Sequence, residues 1–549
     1  MLSWQVYTYK MKKITTIVWA YVNKLSKEEL TVAKIERTKN ATRNITFGVI
    51  LKIYQIIIPF LMRTAMIYLM GVQYLGLNSL FTSILQVLNL AELGVGSAMI
   101  YSMYKPIAED DNATICALMK LYKTYYTVIG LVIAIIGGIL TPFIPKLISG
   151  DIPEGLNIYV LYLLNLGATV LSYWLYAYKN SILQAHQRVD IVSKVTLVTT
   201  TIQYVLQLLV LWLFKDYYLY VIVLLATQAL TNIITAVYAN RLYPQYKPGG
   251  QVKPEEKKAI NGRIRDLFTS KIGGIVYDSA DTIVISAFLG LTVLAVYQNY
   301  FYILNAITGL ITVVFSACTA GIGNSIVVET KEKNYKDLSK FTFIICWGAG
   351  FCSVCLLCLY QPFMELWVGE DLMLSFSAVI CFVVYFFMRQ LNSLFSTYKD
   401  ASGMWHEDRF RPLVAALTNL ILNLILVQFI GIYGILISTV LAIICVGMPW
   451  LLHNLFTVIF EKKYLHEYLK KLLYYCAVVF ISCIGVYFIC SKINLGLIST
   501  LLTRGAVCII IPNLMYLLAY RKQTEFKDSL VLINKMTKGK FSGILKRLG

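Results

Sequence analysis

Long apolar stretches, separated by short polar ones, recur along this chain from about residue 47 to residue 520. A helix needs roughly 20 mostly apolar residues to cross a hydrocarbon core. Fourteen stretches have that character: 47–70, 78–104, 121–141, 157–178, 191–214, 217–240, 271–290, 295–327, 341–360, 373–397, 412–430, 432–456, 472–490 and 497–520. Runs such as Val132 to Leu140 are apolar on every face, unlike the alternating strands of about ten residues that build a barrel. The pattern predicts an all-α polytopic membrane protein of about fourteen transmembrane helices, numbered here as spans 1 to 14. Residues 1–43 are polar and basic, without the apolar core and cleavage site of a secretory signal, so span 1 is expected to serve as its own insertion signal. Ile14, Ile17, Val18, Tyr21 and Leu25 alternate there with lysines, as in a helix lying on an anionic membrane surface or in a disordered tail. Met11 is an alternative start.

Composition agrees. Of 549 residues, 58% are hydrophobic and 14% charged, against about 25% charged in soluble domains. The net charge of +20 would suit nucleic acid if it formed a basic stripe, and it does not. Loops after even-numbered spans, with their flanks, hold twenty-four Lys and Arg, whereas loops after odd-numbered spans hold three, Lys146, Lys215 and Lys492. By the positive-inside rule the even loops and both termini are expected in the cytoplasm, and nucleic acid is excluded as a partner. The twelve cysteines lie mostly within spans, which rules out a secreted disulfide framework. Cys352, Cys355 and Cys358 have metal-like spacing but no His or carboxylate companions, and read as small packing residues.

The chain divides by charge. A basic segment (1–43) precedes spans 1–6 (44–240), and a linker rich in Pro and Gly (241–266) leads to spans 7–12 (267–456). Spans 13 and 14 (457–520) and a basic tail (521–549), expected on the anionic inner leaflet, follow. Shifting span 1 onto span 7 by the offset between Gly71 and Gly290 also matches Lys52 with Lys271, Ile53 with Ile272 and Ile56 with Ile275. The same shift brings Ile84 to Ile303 and Leu85 to Leu304, whereas Gly94 and Gly96 need a different one to reach Gly321 and Gly323. Two six-span blocks opening alike predict two pseudo-symmetric lobes plus two C-terminal helices.

Each ionisable residue inside a span costs about 2.5–3.5 kcal/mol on insertion scales and needs a partner or a role. Apart from Lys194 and Lys271, counted above with the loop flanks, there are eight: Lys52, Arg63, Glu92, Lys123, Asp278, Asp281, Arg389 and Arg504. Lys123 and Arg504 lie near span ends, where they can snorkel. Lys52 and Arg63 are three helical turns apart and share a face of span 1, with Pro59, a candidate kink, between them. Asp278 and Asp281 form the corresponding stripe of span 7. Thr82, Gln86, Asn89 and Glu92 on span 2, and Gln298, Tyr302 and Asn305 on span 8, recur at steps of three or four. If the lobes face each other, a mainly basic stripe looks across a cavity at an acidic one; the bland alternative is that these charges only pair and lock the bundle.

The string YLGLNSLFTSILQVLNLAELGVGSAMIYSMYKPIAEDD at 74–111 closely resembles the opening region of bacterial polysaccharide flippases. These belong to the superfamily of multidrug exporters, oligosaccharide-lipid flippases and polysaccharide exporters. PFLMRTAMIYLMG before it and YDSADTIVISAFLG at 277–290 look like that family's first and seventh spans, and the likeness extends over about 43–456. It implies two lobes in a V around a central cavity and alternating access in a bacterial cytoplasmic membrane. The implied substrate is an oligosaccharide repeat unit on a polyprenyl diphosphate, bound for capsule, exopolysaccharide or O-antigen. Polymerases or glycosyltransferases would be its partners alongside membrane lipids. In such a site Lys52, Arg63 and Arg389 would hold the diphosphate, and Asp278, Asp281 and Glu92 would handle a coupling proton or sodium ion. No cofactor is expected, since the chain lacks a GxxxxGK[ST] phosphate loop. Fourteen spans rather than the family's common twelve make a lipid II flippase the nearest alternative. A multidrug exporter fits the basic residues less well. A membrane polymerase or ligase would need a large, reactive outer loop, and the longest here, 142–156, has only Lys146, Asp151 and Glu154 as charges.

Overall fold

A computed structural model describes residues 37–536 apart from 93, 151, 154 and 405. The surface helix expected at the N-terminus, and the tail beyond residue 536, lie outside the described residues. Among those described, nearly all are helical and none is in a strand. Twelve helices are long and apolar enough to cross a membrane, and Ile158–Trp174 with Ala177–Ala185, bent by 46°, make a thirteenth span. The 75-residue helix Pro254–Val328 would run far beyond the roughly 30 Å of a hydrocarbon core if straight. It is divided at Gly290, where φ is 88° and ψ 173°, and its two arms are spans 7 and 8. All fourteen predicted spans therefore have a helical counterpart.

The break at Gly290 has a twin. Span 1, Arg37–Leu69, passes into Val72–Leu88 through Gly71 at φ 115° and ψ 158°. Only glycine takes this backbone without strain. Gly71 and Gly290, matched by the repeat shift, thus each make a one-residue corner between consecutive spans. Beyond them the copies diverge. Span 2 is interrupted by a 3-10 turn at Asn89–Glu92 and by left-handed Gly94 before resuming as Val95–Ala108, whereas span 8 carries on through Gly321 and Gly323. Span 1 in turn runs as one helix through Pro59, so helix interruption falls on span 2 instead.

Spans 1 to 6 pack among themselves, as do spans 7 to 12; the two groups pack closely where span 2 lies along spans 7 and 8, while span 1 reaches span 8 through side chains. Both meetings are antiparallel. Along one, Arg63 reaches Asn299, Ile56 reaches Tyr302 and Lys52 reaches Gly309. Along the other, Gly76 abuts Leu291, Gly94 abuts Leu267 and Ser102 meets Arg263. In both, residue numbers rise along one helix as they fall along its partner, and the paired numbers add to similar totals. A twofold exchanging span 1 with span 7 and span 2 with span 8 makes such totals alike. At Gly76 a Cβ would stand 2.2 Å from the Leu291 carbonyl oxygen, so no larger residue fits.

The expected linker is only partly a loop. From Pro254 it is helix, continuous with span 7, started by proline in the first turn with Glu255 and Glu256 beside it. The remaining segment lies against the first bundle. Tyr243 and Tyr246 stack on His186 at 4.1 and 5.6 Å, and Gly249 N–H donates to the Cys116 carbonyl at 3.1 Å. Spans 13 and 14, Leu465–Ser491 and Leu497–Tyr520, pack on span 9, Lys331–Val368. Trp347 Nε1 donates to Asn513 Oδ1 there at 2.8 Å, and Thr342 and Tyr468 share a hydrogen bond of the same length.

Candidate functional site

Arg63, on the face of span 1 that meets span 8, donates from Nε and Nη2 to Oδ1 of buried Asn299 at 3.3 and 3.1 Å. Its guanidinium lies 5.3 Å from the ring centre of Tyr302, whose hydroxyl donates to the Ile56 carbonyl. Span 10, Phe376–Ser402, supplies the second guanidinium. Arg389 donates from Nη1 to Asn305 Oδ1 at 3.1 Å and to the Tyr385 hydroxyl at 2.9 Å. Both arginines line one cavity of about 340 Å³. Span 2 contributes Asn78, Ser79, Thr82, Ser83 and Gln86 to its wall, and spans 7 and 8 contribute Thr282, Gln298, Phe301 and Asn305. Of the four polar faces expected to converge, those of spans 1, 2 and 8 contribute to this wall, span 7 contributes only Thr282, and span 10 adds Arg389. Among the described residues the wall holds two guanidiniums, amides, hydroxyls and one phenyl ring, and no carboxylate. A guanidinium offers N–H groups in a planar fork that matches phosphate oxygens, so the cavity is chemically suited to an anion.

The other candidates lie elsewhere. Lys52 is exposed on the same helix, with its Cε beside Gly309, where an added Cβ would stand 3.6 Å away. It is not in the cavity wall. Asp281 does not look across the cavity at the basic stripe. It is buried within the second bundle, accepting from Asn423 Nδ2 at 2.7 Å, Thr439 Oγ1 at 3.1 Å and the Tyr297 hydroxyl at 3.4 Å. Asn419 Nδ2 donates to Thr439 Oγ1 at 3.0 Å, and the Ser438 hydroxyl donates to Asn423 Oδ1. Four spans thus close a knot of oxygens and amides around one carboxylate. Of Asp278, one turn away, only the backbone is described. Glu92 occupies a second cavity, of about 300 Å³, inside the first bundle. Its Oε1 accepts from the Tyr126 hydroxyl at 3.1 Å, which accepts from Tyr122 at 2.7 Å. The acidic stripe of span 7 expected to face the basic one is therefore not in the cavity, and Glu92, grouped with Asp278 and Asp281 for ion coupling, lies at a separate site. Spacing along span 7 gives Asp281 its height in the bundle but not which neighbour it meets, and spans 11 and 12 take that side.

Three participants carry no charge to draw attention: Asn299, Asn419 and Asn423. The last two stand four apart on one face of a largely apolar helix, Arg411–Ile430. Such a pair in a membrane span marks a polar contact between helices, and is the signal by which the sequence could have disclosed them.

On the side opposite the basic loops the two bundles are held together. Trp367 stacks on Phe60 at 4.4 Å and donates Nε1 to Thr64 Oγ1 at 2.7 Å, while the Tyr68 hydroxyl donates to the Trp367 carbonyl at 2.7 Å. Ser149 N–H donates to the Ser286 carbonyl at 2.9 Å.

Two helical bundles facing each other around a polar cavity define a multi-pass membrane protein of transporter architecture. Residues 41–319 match the pattern of the family described as polysaccharide biosynthesis protein, and the chain belongs to that family. Its fold is similar to that of a lipid II flippase, MurJ, solved in an inward closed conformation, at 16% identity and a TM-score of 0.62, over 87% of this chain and 99% of that one. It is also similar to an inward-facing multidrug resistance MATE family transporter of the MOP superfamily, at 14% identity and a TM-score of 0.55, over 77% of this chain and 99% of the other. No functionally curated protein matches the chain.

Proposed function

We propose that this protein is a flippase that carries polyprenyl-diphosphate-linked oligosaccharide units across the bacterial cytoplasmic membrane by alternating access, with its basic loops in the cytoplasm. One observation carries the reading: a guanidinium from each bundle, Arg63 and Arg389, enters the same cavity, whose other described walls are neutral. A diphosphate between them would tie the two bundles to the same ligand, which is how a substrate biases a rocking equilibrium. Each charge-assisted bond is worth about 1.5–3 kcal/mol. A cavity of about 340 Å³ is near the lower end of ligand pockets, about 300–1,000 Å³, so it holds the diphosphate and little more of such a substrate. The glycan needs the bundles to part. The Asp281 knot, with carboxylate, amide and hydroxyl oxygens, is suited to a coupling sodium ion or proton, and Glu92 gives the first bundle a second candidate.

In a strain lacking the gene, Arg63→Ala and Arg389→Ala are expected to lower polymer export at least about 10-fold, from the loss of one or two such bonds, while the protein still reaches the membrane. Full export by either variant overturns the assignment. Arg63→Lys should recover part of the activity if charge alone matters, and little if the fork does. A second reading, lipid II as the carried molecule, is favoured by the fold likeness over nearly the whole of the MurJ chain. It shares the diphosphate and would use the same arginines. Rescue of cells depleted of their lipid II flippase would favour it; rescue of polymer export alone would favour the first.

A further inference from the structure

We propose that Cys358, Cys490 and Cys508 form a binding site for one soft, thiophilic d10 metal ion, Zn²⁺ or Cu⁺, which fastens spans 13 and 14 to span 9. The three side chains come from three helices, are buried to 1% exposure or less, and have sulfur atoms within 4.8 Å of one another. A Zn–S bond of about 2.3 Å sets tetrahedral sulfurs about 3.8 Å apart, so the cluster closes on an ion with shifts of about half an ångström per sulfur. Cys355, less than one turn before Cys358 on span 9, packs against the same cluster.

The distribution of cysteine along the chain points the same way. Eight of the twelve cysteines lie on these three helices: Cys346, Cys352, Cys355 and Cys358 on span 9, Cys476, Cys483 and Cys490 on span 13, and Cys508 on span 14. The three of span 13 recur every seven residues and so share one face. Packing alone needs small apolar groups, which alanine or valine supply, and does not require sulfur to meet sulfur. Around the cluster stand Val354, Val486 and other apolar residues, so water does not compete for the ion. Each metal–sulfur bond to a thiolate replaces an S–H bond whose proton is released to the solvent, so loading depends on pH. Soft thiolate ligands select Zn²⁺ or Cu⁺ over Mg²⁺, Ca²⁺ and Mn²⁺.

The test uses the full-length protein, produced separately with added Zn²⁺ and with added Cu⁺, purified in detergent and assayed for metal by mass spectrometry. About one ion per chain is expected from one of the two preparations, falling below about a tenth in Cys508→Ser and Cys358→Ser, and unchanged in Cys381→Ser on span 10. Stripping the ion with a chelator should lower the thermal midpoint of the wild type and leave that of Cys508→Ser where it was. Wild-type protein with no more metal than Cys381→Ser and both cluster variants alike, from both preparations, overturns the proposal. So does a disulfide among the three cysteines in non-reducing peptide mapping. If the serine variants fail to insert, the wild-type metal ratio and the alkylation of its thiols before and after chelation decide the question. Export is measured separately, so failure here leaves the flippase reading untouched.

Discussion

Glu92 and Asp281 are carboxylates in corresponding halves of a repeated architecture, and their surroundings could hardly differ more. Glu92 faces a cavity of about 300 Å³ and accepts from Tyr126. Asp281 is enclosed by Asn423, Thr439 and Tyr297. The backbone accounts for the contrast. In the first bundle span 2 is interrupted at Asn89–Glu92 and span 4 bends by 46°, and the space left between them is the cavity. In the second, helices approach until they touch: a Cβ at Gly273 would stand 2.2 Å from the Pro412 carbonyl carbon, and one at Gly434 2.5 Å from that of Leu426. One repeat has been loosened around its acid and the other tightened. Glu92 borders open volume, whereas the Asp281 carboxylate is closed in by Asn423 and Thr439.

The contrast can be broken most severely at its tight end. Asp281→Asn sets an amide donor against the donors of Asn423 and Thr439, each worth about 1–3 kcal/mol when left unsatisfied. Transport should be abolished and the thermal midpoint in detergent should drop sharply; wild-type values for both would remove the knot from the mechanism. Gly273→Ala should follow, destabilising by about 1–3 kcal/mol through overpacking against span 11. In the first bundle Gly138→Ala, with nothing within 4 Å of the new Cβ, should be neutral or better, and equal losses at the two sites would contradict the packing read at each. Glu92→Gln comes next. Its amide oxygen still accepts from Tyr126 and the cavity gives it room, so stability should change by less than about 1 kcal/mol. Export should lose its dependence on external pH if Glu92 is the proton carrier.

The smallest effect is at the basic-loop end of the first bundle. Burial beneath Tyr243 and Tyr246 pushes the His186 imidazole from 6.5 down to about 4. The folded protein therefore keeps it neutral where the unfolded chain would protonate it. Its contribution is intact above pH 6.5 and is lost as pH falls toward 4. Thermal midpoints between pH 7.5 and 5 should fall less steeply in His186→Phe, which keeps the stack and cannot titrate; identical slopes would show that another group sets the acid sensitivity.

Much of the fold is legible in residue order. Apolar length gives the spans, alternating lysine gives their phase, and Gly71 with Gly290 marks the repeat because a positive φ leaves few choices of residue. The arginine cavity is partly legible, because Arg63, Gln86, Gln298 and Asn305 are costly in a membrane and stand on single helix faces. What was not legible is adjacency. Nothing in span 7 says that Asp281 meets Asn423 and Thr439 of spans 11 and 12 rather than Arg63 of span 1, since helical periodicity fixes a direction only relative to its own axis. Glu92 was placed on the same face as Gln86 by counting turns, but the 3-10 turn at Asn89–Glu92 changes the count, and Glu92 lines a different cavity from Gln86.

The one-residue corners at Gly71 and Gly290 have a kinematic consequence. Each joins two rods at a point, so spans 1 and 2 form one pair of dividers and spans 7 and 8 another, with both points on the side away from the basic loops. Span 1 is 33 residues long, about 50 Å at 1.5 Å per residue, so a torsional change of ten degrees at its corner would sweep the far end through about 9 Å. Two glycines in seldom-used backbone conformations could thus convert a small rotation at one membrane face into an aperture at the other.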